Sequence, residues 1–282
     1  MRYNQANLIT ENGGVIFLPP WYSGSQGWGN VSRPNVYAES VEGLYPEGAI
    51  YREGPRTFVY VSHKATLGGG TKSAGYLMET GSAYKNVSSG MQVAAALATQ
   101  ITVNYGGACA LDKYSGGTFG VYGTQYGSRY IEKQYLAGES PLTGYDMYLD
   151  LDVGFPVAMA TTDNITLLEN CFKDADTYVT TDHAPYIGVI MKHLPTADYY
   201  SWLQCGGPHG MTFYWGSSEP DSGVMQMTVY AYHGTTQVHP DSTSSILTGG
   251  LETASAQIIG YRAGGATSAM TGGQTIWLTI FN

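Results

Sequence analysis

Charge is scarce in this chain: Asp, Glu, Lys and Arg together make only 12% of its 282 residues. Mixed surface charge keeps freely diffusing proteins apart, so a surface this poor in it suits a protein covered by partners. The 13 Lys and Arg are scattered, no run of them occurs, and the formal net charge is −9. Phosphate binding needs a basic stripe, so no nucleic-acid partner is expected. Cysteine is equally sparse. Cys109, Cys171 and Cys205 are odd in number and widely spaced, with no CxxC pair. That pattern fits neither a zinc site nor a disulfide framework, and predicts buried free thiols. Met1–Thr10 lacks a basic segment followed by an apolar one, and no apolar run is long enough to span a bilayer. The expectation is a protein made in a reducing host cytoplasm, with no membrane partner.

Catalytic motifs are missing too. There is no G-x-S-x-G elbow and no HExxH. Gly68-Gly69-Gly70-Thr71-Lys72 lacks the phosphate-loop spacing and reads as a turn. Asp150 and Asp152, two apart, would share a strand face; paired carboxylates can hydrolyse glycosides, but this pair reads as a turn flank or solvated edge. Asp174, Asp176 and Asp182 offer oxygen ligands without the Gly and final Glu of a calcium loop, and read as a solvated loop. The histidines His63, His183, His193, His209, His233 and His239 form no ligand pattern, although His233 and His239 could approach across a turn. The expectation is therefore no catalytic residues, no metal, no cofactor and no enzyme.

What the chain does have is tyrosine and glycine: 24 Tyr against 7 Phe, and 38 Gly. Tyrosine packs its ring while keeping its hydroxyl wet, which suits half-buried strands and interfaces. Glycine at this level suits tight turns. Short β-branched and aromatic runs recur between Gly, Asn and Pro clusters. They are Thr57–Val61, Gln100–Tyr105, Phe119–Tyr122, Met147–Leu151, Tyr186–Ile190, Met225–Tyr230 and Thr275–Ile280. This spacing predicts an all-β fold of Greek-key sandwich or barrel units with an extended N-terminal arm. The best helix signal, Met91–Ala98, is short and runs into a strand, so it predicts one or two turns at most. No repeat of fixed period is visible, which disfavours a propeller or solenoid.

Three regions are expected: an arm over residues 1–43, a β domain over 44–140 and a second β domain over 141–282, with an inserted hairpin region near 211–250. The arm is breaker-rich, with Pro19-Pro20-Trp21-Tyr22 and then Gly24, Gly27, Trp28 and Gly29. It cannot bury much by itself, so Trp21, Tyr22 and Trp28 are the candidate partner-interface residues. Clustered Tyr and Trp serve equally for stacking on sugars and for subunit contacts. Tyr199, Tyr200 and Trp202 lie in a mixed apolar segment and read as core or turn residues.

Ordered fragments run along the chain. Pro46-Glu47-Gly48 leads to the Arg56-x-Phe58-x-Tyr60 strand. An Ala-rich stretch enters Gln100-Ile101-Thr102-Val103, and a Tyr114-x-Gly116-Gly117 turn follows. Pro156-Val157-Ala158 precedes an Asn-containing stretch to Asn170. Then come Tyr199-Tyr200-x-Trp202-Leu203-Gln204-x-x-Gly207-Pro208, Ile259-Gly260-Tyr261 and Ile276–Ile280. Over about residues 44–208 and 256–282 this order resembles a group of tailed-bacteriophage virion structural proteins, of capsid decoration or cement type. The first 40 residues and about 211–250 have no counterpart in it. The resemblance implies a virion component with no catalytic residues to carry over. It would bind the major capsid protein or another virion protein as a homo-oligomer, with a trimer favoured. The alternative it leaves is a tail or fibre protein that binds a host surface glycan.

Overall fold

The computed structural model describes residues 8–11, 14–19, 34–63, 77–79, 84–87, 93–104, 109–123, 126–136, 146–177, 186–192, 199–212, 228–231, 238–240, 258–262 and 273–280. Among them there are strands and turns but no helix. The strands are β1 (Leu8–Glu11), β2 (Gly14–Phe17), β3 (Glu39–Ser40), β4 (Ile50–Glu53), β5 (Arg56–Ser62) and β6 (Leu77–Glu79). Next come β7 (Tyr84–Val87), β8 (Gln100–Asn104), β9 (Thr118–Tyr122), β10 (Tyr126–Leu136), β11 (Asp146–Leu151) and β12 (Asn164–Leu168). Last are β13 (Asp176–Thr177), β14 (Tyr186–Ile190), β15 (Tyr200–Thr212), β16 (Thr228–Ala231), β17 (Val238–Pro240), β18 (Ile258–Arg262) and β19 (Gly273–Thr279). The protein is all-β, with two antiparallel sheets: six strands in the order β7-β12-β9-β10-β11-β8, and thirteen strands carrying the rest. The six-stranded sheet lies within Ser82–Cys171 and the other strands belong to a second compact unit.

In the six-stranded sheet, alternation decides which way each side chain points. Residues of β8, β9 and β12 alternate between buried and open positions. The buried set (Ile101, Val103, Phe119, Val121, Ile131, Met147, Leu149, Leu151, Ile165 and Leu167) forms one cluster with Phe155 and Met159. One strand closes it. Through Tyr126–Tyr130, β10 pairs with β9; through Ile131–Leu136 it pairs with β11, with a bulge between Ile131 and Lys133. A bulged strand that changes partners turns a corner, so β8 and β11 share one core with β9 and β12. Buried Gln134 fixes the corner: its Oε1 accepts from the Tyr114 N–H at 2.7 Å, and its Nε2 donates to the Ala110 carbonyl at 2.9 Å. With both ends satisfied, a buried amide is not penalised.

The larger sheet is organised by β15. Along Tyr200–Gly206 it pairs with β5, and along Gly206–Thr212 with β19; β3 and β14 also take short stretches of it. Gly206-Gly207-Pro208 lies inside this strand. Gly207 has φ 83, and a Cβ there would collide with the Pro55 carbonyl. Gln204 staples the bend, donating from Nε2 to the carbonyls of Gly206 at 3.0 Å and Pro208 at 2.9 Å. The Leu-Gln-x-x-Gly-Pro pattern of residues 203–208 is thus a backbone device. β5 from Phe58 to Ser62 and β14 throughout, both rich in Val, Ile, Phe and Tyr, are buried at successive positions, so both their faces are covered there.

One segment differs from its sequence reading, and the Ala-rich stretch makes no more than the turn expected of it. Within the residues read as a breaker-rich arm, Leu8–Glu11 and Gly14–Phe17 form a hairpin whose second strand pairs with β4. The breakers around them mask two short apolar runs. In the Ala-rich stretch, Ala94 forms a two-way bridge with Met159 at 3.1 and 2.9 Å, and Ala95–Ala98 is a hydrogen-bonded turn. Leu97 sits in that turn with φ 63, its N–H on the Phe155 carbonyl at 2.7 Å. The left-handed region costs a leucine on the order of 1–2 kcal/mol, so the pairing with 154–159 sets the turn against local preference.

Candidate functional site

Five tyrosines of β9, β10 and β11 point away from the core of the six-stranded sheet. Where Phe119, Val121, Ile131, Met147 and Leu149 face inward, Tyr122, Tyr126, Tyr130, Tyr135 and Tyr148 take the alternate positions. Tyr126 is 84% exposed and the other four 37–42%. Register pairs them across strands. Tyr122 lies opposite Tyr126, and Tyr135 opposite Tyr148. Tyr130 lies opposite Thr118. Several neighbours on this face are short and uncharged, Thr102 beside Tyr148, Asn164 beside Tyr122, and Gly120 between Ser128 and Thr166, and Leu168 is exposed opposite Thr118. Charge enters through β10 and β11, where Asp146 lies two residues before Tyr148. Lys133 lies opposite Asp150 and its Nζ sits 4.8 Å from the Tyr135 ring centroid, within cation–π range.

Asp150 and Asp152 belong to this region, Asp150 held by a side chain and Asp152 by the backbone. Asp150 accepts from Gln100 Nε2 at 2.9 Å. Asp152 accepts from the Tyr130 N–H at 3.1 Å while its own N–H returns a bond to the Tyr130 carbonyl at 3.1 Å. That geometry caps the strand exit and leaves neither acid poised over a cleft. What the face offers is rings with wet hydroxyls on a hydrogen-bonded frame, with amide and hydroxyl groups between. Such a surface can be covered by another protein or can stack on a sugar; it holds no nucleophile beside a base.

The other residues singled out from sequence scatter. Trp21, Tyr22, Trp28, Asp182, His183, His193, His233 and the segment Gly68–Lys72 lie outside the described residues. His239 is on β17, opposite Tyr230. Asp174 and Asp176 flank the Ala175 bridge to His63; Asp174 has φ 55 and its N–H bonds Ser62 Oγ at 3.1 Å, while Asp176 is buried. Among the described residues no group of His, Cys, Asp or Glu is arranged to hold a metal ion. Trp202 is buried at 3% exposure, with Tyr199 and Tyr200 half-buried beside it.

No family model, curated protein or solved structure matches this chain. Function must therefore be argued from the residues themselves. One arrangement resembles a catalytic pair: His63 Nε2 lies 2.7 Å from Ser201 Oγ. Both are buried, and His63 Nδ1 has no hydrogen-bond partner among the described residues. A serine nucleophile needs an acid on that second nitrogen and access to substrate. Burial also pushes the His63 pKa down to about 4, so the ring is a neutral core residue. His209 is similar: its Nδ1 donates to Gln204 Oε1 at 3.0 Å, since the Gln204 amide nitrogen already donates to two carbonyls, and burial lowers it to about 4. Cys171 and Cys205 are pushed up to about 11 and 12 by burial, which leaves unreactive thiols.

Sequence reasoning passed over the tyrosine face. Its signal is the alternation Tyr126-x-Ser128-x-Tyr130, but tyrosine is equally at home inside, and only the sheet pairing shows which way these rings point.

Proposed function

We propose that this protein is a non-catalytic virion component that decorates and stabilises a bacteriophage capsid, with the tyrosine face of the six-stranded sheet as its contact surface. The observation that carries the reading is that face: five exposed tyrosines on a hydrogen-bonded frame, with several short uncharged cross-strand neighbours. Tyrosine-rich, charge-poor surfaces are what protein interfaces bury at their centre. The motifs that resemble tailed-phage virion proteins supply the partner, the major capsid protein or another virion protein. The mechanism is mass action. A protein that binds the assembled shell and not its separated parts shifts the balance toward the shell. A lone specific contact buries about 1,200–2,000 Å², and many copies, as trimers at local three-fold positions, hold a shell with less per copy. The site of action is the virion, after synthesis in the host cytoplasm.

A second reading is favoured by a specific feature of the same face. Ring pairs flanked by Asn164, Thr102 and Gln100 suit a neutral glycan, as in a tail or fibre protein. One experiment separates the two. Purified wild-type protein and the variant Tyr122→Ser/Tyr126→Ser/Tyr135→Ser/Tyr148→Ser are added to particles stripped of the protein, and to immobilised host-surface glycans. Decoration predicts binding and raised heat resistance of particles by the wild type alone, with no glycan retention. Glycan retention by the wild type without particle binding selects the second reading. Equal particle binding by the folded variant rejects both uses of this face.

A further inference from the structure

The end of β5 is a buried polar junction, and two other stretches of chain meet it at Ser62 and His63. One is Phe172–Thr177, where the chain returns to the larger sheet after Ser82–Cys171. Its Phe172 carbonyl accepts from the Ser62 N–H at 3.1 Å, its Asp174 N–H donates to Ser62 Oγ at 3.1 Å, and its Ala175 N–H donates to the Ser62 carbonyl at 2.8 Å. Ala175 also forms a bridge with His63. The other is the approach to β15. The His63 N–H donates to the Tyr199 carbonyl at 2.9 Å, and His63 Nε2 lies 2.7 Å from Ser201 Oγ. His63 follows Val61 by two residues, and Ser201 lies opposite Val61. The pair thus stands at the end of the apolar cluster that holds Val59, Val61, Ala175 and Leu203. Both side chains are buried, and His63 Nδ1 has no hydrogen-bond partner.

We infer that His63 is an acid-operated catch on the returning segment: with the ring neutral, Phe172–Thr177 is held against the end of β5, and with the ring protonated the segment lifts away while the rest of β5 stays paired with β15. The neutral ring fits its site, because Ser201 Oγ meets one nitrogen and the other carries no charge. Protonation makes both nitrogens donors, whichever held the hydrogen before. Ser201 Oγ can accept from Nε2, but nothing accepts from Nδ1, and a buried charge without a partner drives its group toward water. The titratable residues on the elements that meet here are Lys173, Asp174 and Asp176 on the returning segment, Glu79 on β6, Tyr186 on β14, Tyr200 and Cys205 on β15, and Glu39 on β3. Among the described residues none of them bonds to the ring, and burial alone lowers its pKa to about 4. Release comes where the ties are fewest. β5 and β15 share a ladder from Tyr200 to Gly206. The segment is held by its bonds to Ser62, the Ala175 bridge and the two residues of β13 on β6. Short elements with few bonds open before whole sheets do. The inference does not depend on what the tyrosine face binds.

Hydrogen exchange of the full chain, read by mass spectrometry at pH 6.5 and 4.5 and corrected for intrinsic rates, tests the catch. The ring titrates near 4 when enclosed and near 6.5 when released, so exchange of residues 172–177 should accelerate on the order of 30-fold. At pH 4.5 that exchange should hold its rate across about 0 to 2 M urea, because a local opening exposes little surface. Exchange of Leu203–Cys205, which needs a wider opening, should climb steeply with urea. His63→Gln and His63→Leu remove the titrating ring and should abolish the acid response of 172–177. His209→Gln removes the other buried ring and should leave that response whole. One folded His63 variant suffices, and the urea series needs none. An acid response that survives in a folded His63 variant overturns the inference and assigns the response to the carboxylates of Asp174 and Asp176. So does the absence of any acceleration. Exchange of 172–177 that climbs with urea as steeply as that of Leu203–Cys205 also overturns it, because acid would then unfold the whole sheet without a catch.

Discussion

On β9, β10 and β11 tyrosine lies outside the core; around β5 and β15 it lies inside. In the six-stranded sheet the core is mostly Ile, Val, Leu, Met and Phe, joined by Tyr114, while Tyr122, Tyr126, Tyr130, Tyr135 and Tyr148 occupy alternate, solvent-facing positions. In the larger sheet Tyr45, Tyr51 and Tyr60 surround Trp202, with ring centroids 5.1, 5.9 and 5.0 Å from the indole. Tyr200 stacks on Tyr60 at 5.9 Å. The buried rings keep their polar ends satisfied: the Tyr60 hydroxyl accepts the Leu44 N–H at 3.1 Å, and burial pushes its pKa up to about 12. The same residue type thus builds a core in one place and an exposed face in the other. Strand parity and the number of covered faces decide which.

The largest test of that contrast is to truncate one ring of each kind. Trp202→Ala removes the hub of the buried cluster and should cost roughly 3–5 kcal/mol of stability, read by urea denaturation. Tyr135→Ala, on the exposed face, should stay within about 1 kcal/mol. Comparable losses from the two variants would break the contrast and make the outer tyrosines structural.

Acid should divide the two units by the next largest amount. All six histidines lie outside Ser82–Cys171. His63 and His209 titrate near 4 in the folded chain because burial disfavours the charged ring, against an ordinary value of 6.5. Between those limits the unfolded chain binds more protons, so stability rises with pH there and is lost as pH falls from 6.5 toward 4. The contribution of His63 alone is on the order of 3 kcal/mol. Hydrogen exchange of β5 and β15 should therefore accelerate between pH 6.5 and 4.5 more than that of β9 and β11, after correction for intrinsic rates. His63→Gln, which retains a donor for Ser201, should flatten the response by about half. An unchanged slope would mean that His63 is not the neutral core group described above.

Much of this fold is legible locally. β5, β8, β9, β11, β14 and β19 fall on β-branched or alternating runs, because a strand with one or two covered faces must present apolar residues at those positions. The hairpin at Leu8–Phe17 is hidden because breakers surround it. What no local pattern reveals is pairing. That β10 changes partners at Ile131, and that Ala94–Leu97 laces onto 154–159, depends on pairings such as Ile131 with Leu151 and Ala94 with Met159, which no local pattern carries. The tyrosine face is illegible for a related reason. A ring with a hydroxyl fits either side of a sheet, so Tyr60 and Tyr148 look alike until register assigns one to the core. Trp21, Tyr22 and Trp28, the candidates that composition singled out, lie outside the described residues.

The smallest expected effect is the most specific to the outer face. Tyr135 and Tyr148 are directly opposite on antiparallel strands, with Lys133 over the first ring. Cross-strand aromatic pairs contribute about 0.2–1 kcal/mol beyond their separate parts. A double-mutant cycle with Tyr135→Ala, Tyr148→Ala and the double variant should return a coupling within that range. The two rings are half-exposed, so most of their surface is uncovered in the free chain, and the coupling should grow when a partner excludes water from them. Repeating the cycle on binding to particles should then give a larger coupling than the cycle on stability. If instead the stability coupling is several kcal/mol, the pair is a folding element and the outer face loses its standing as a contact surface. If coupling is absent from both cycles, register has placed the rings opposite one another without joining them, and the contact surface must be centred on Tyr122 and Tyr126.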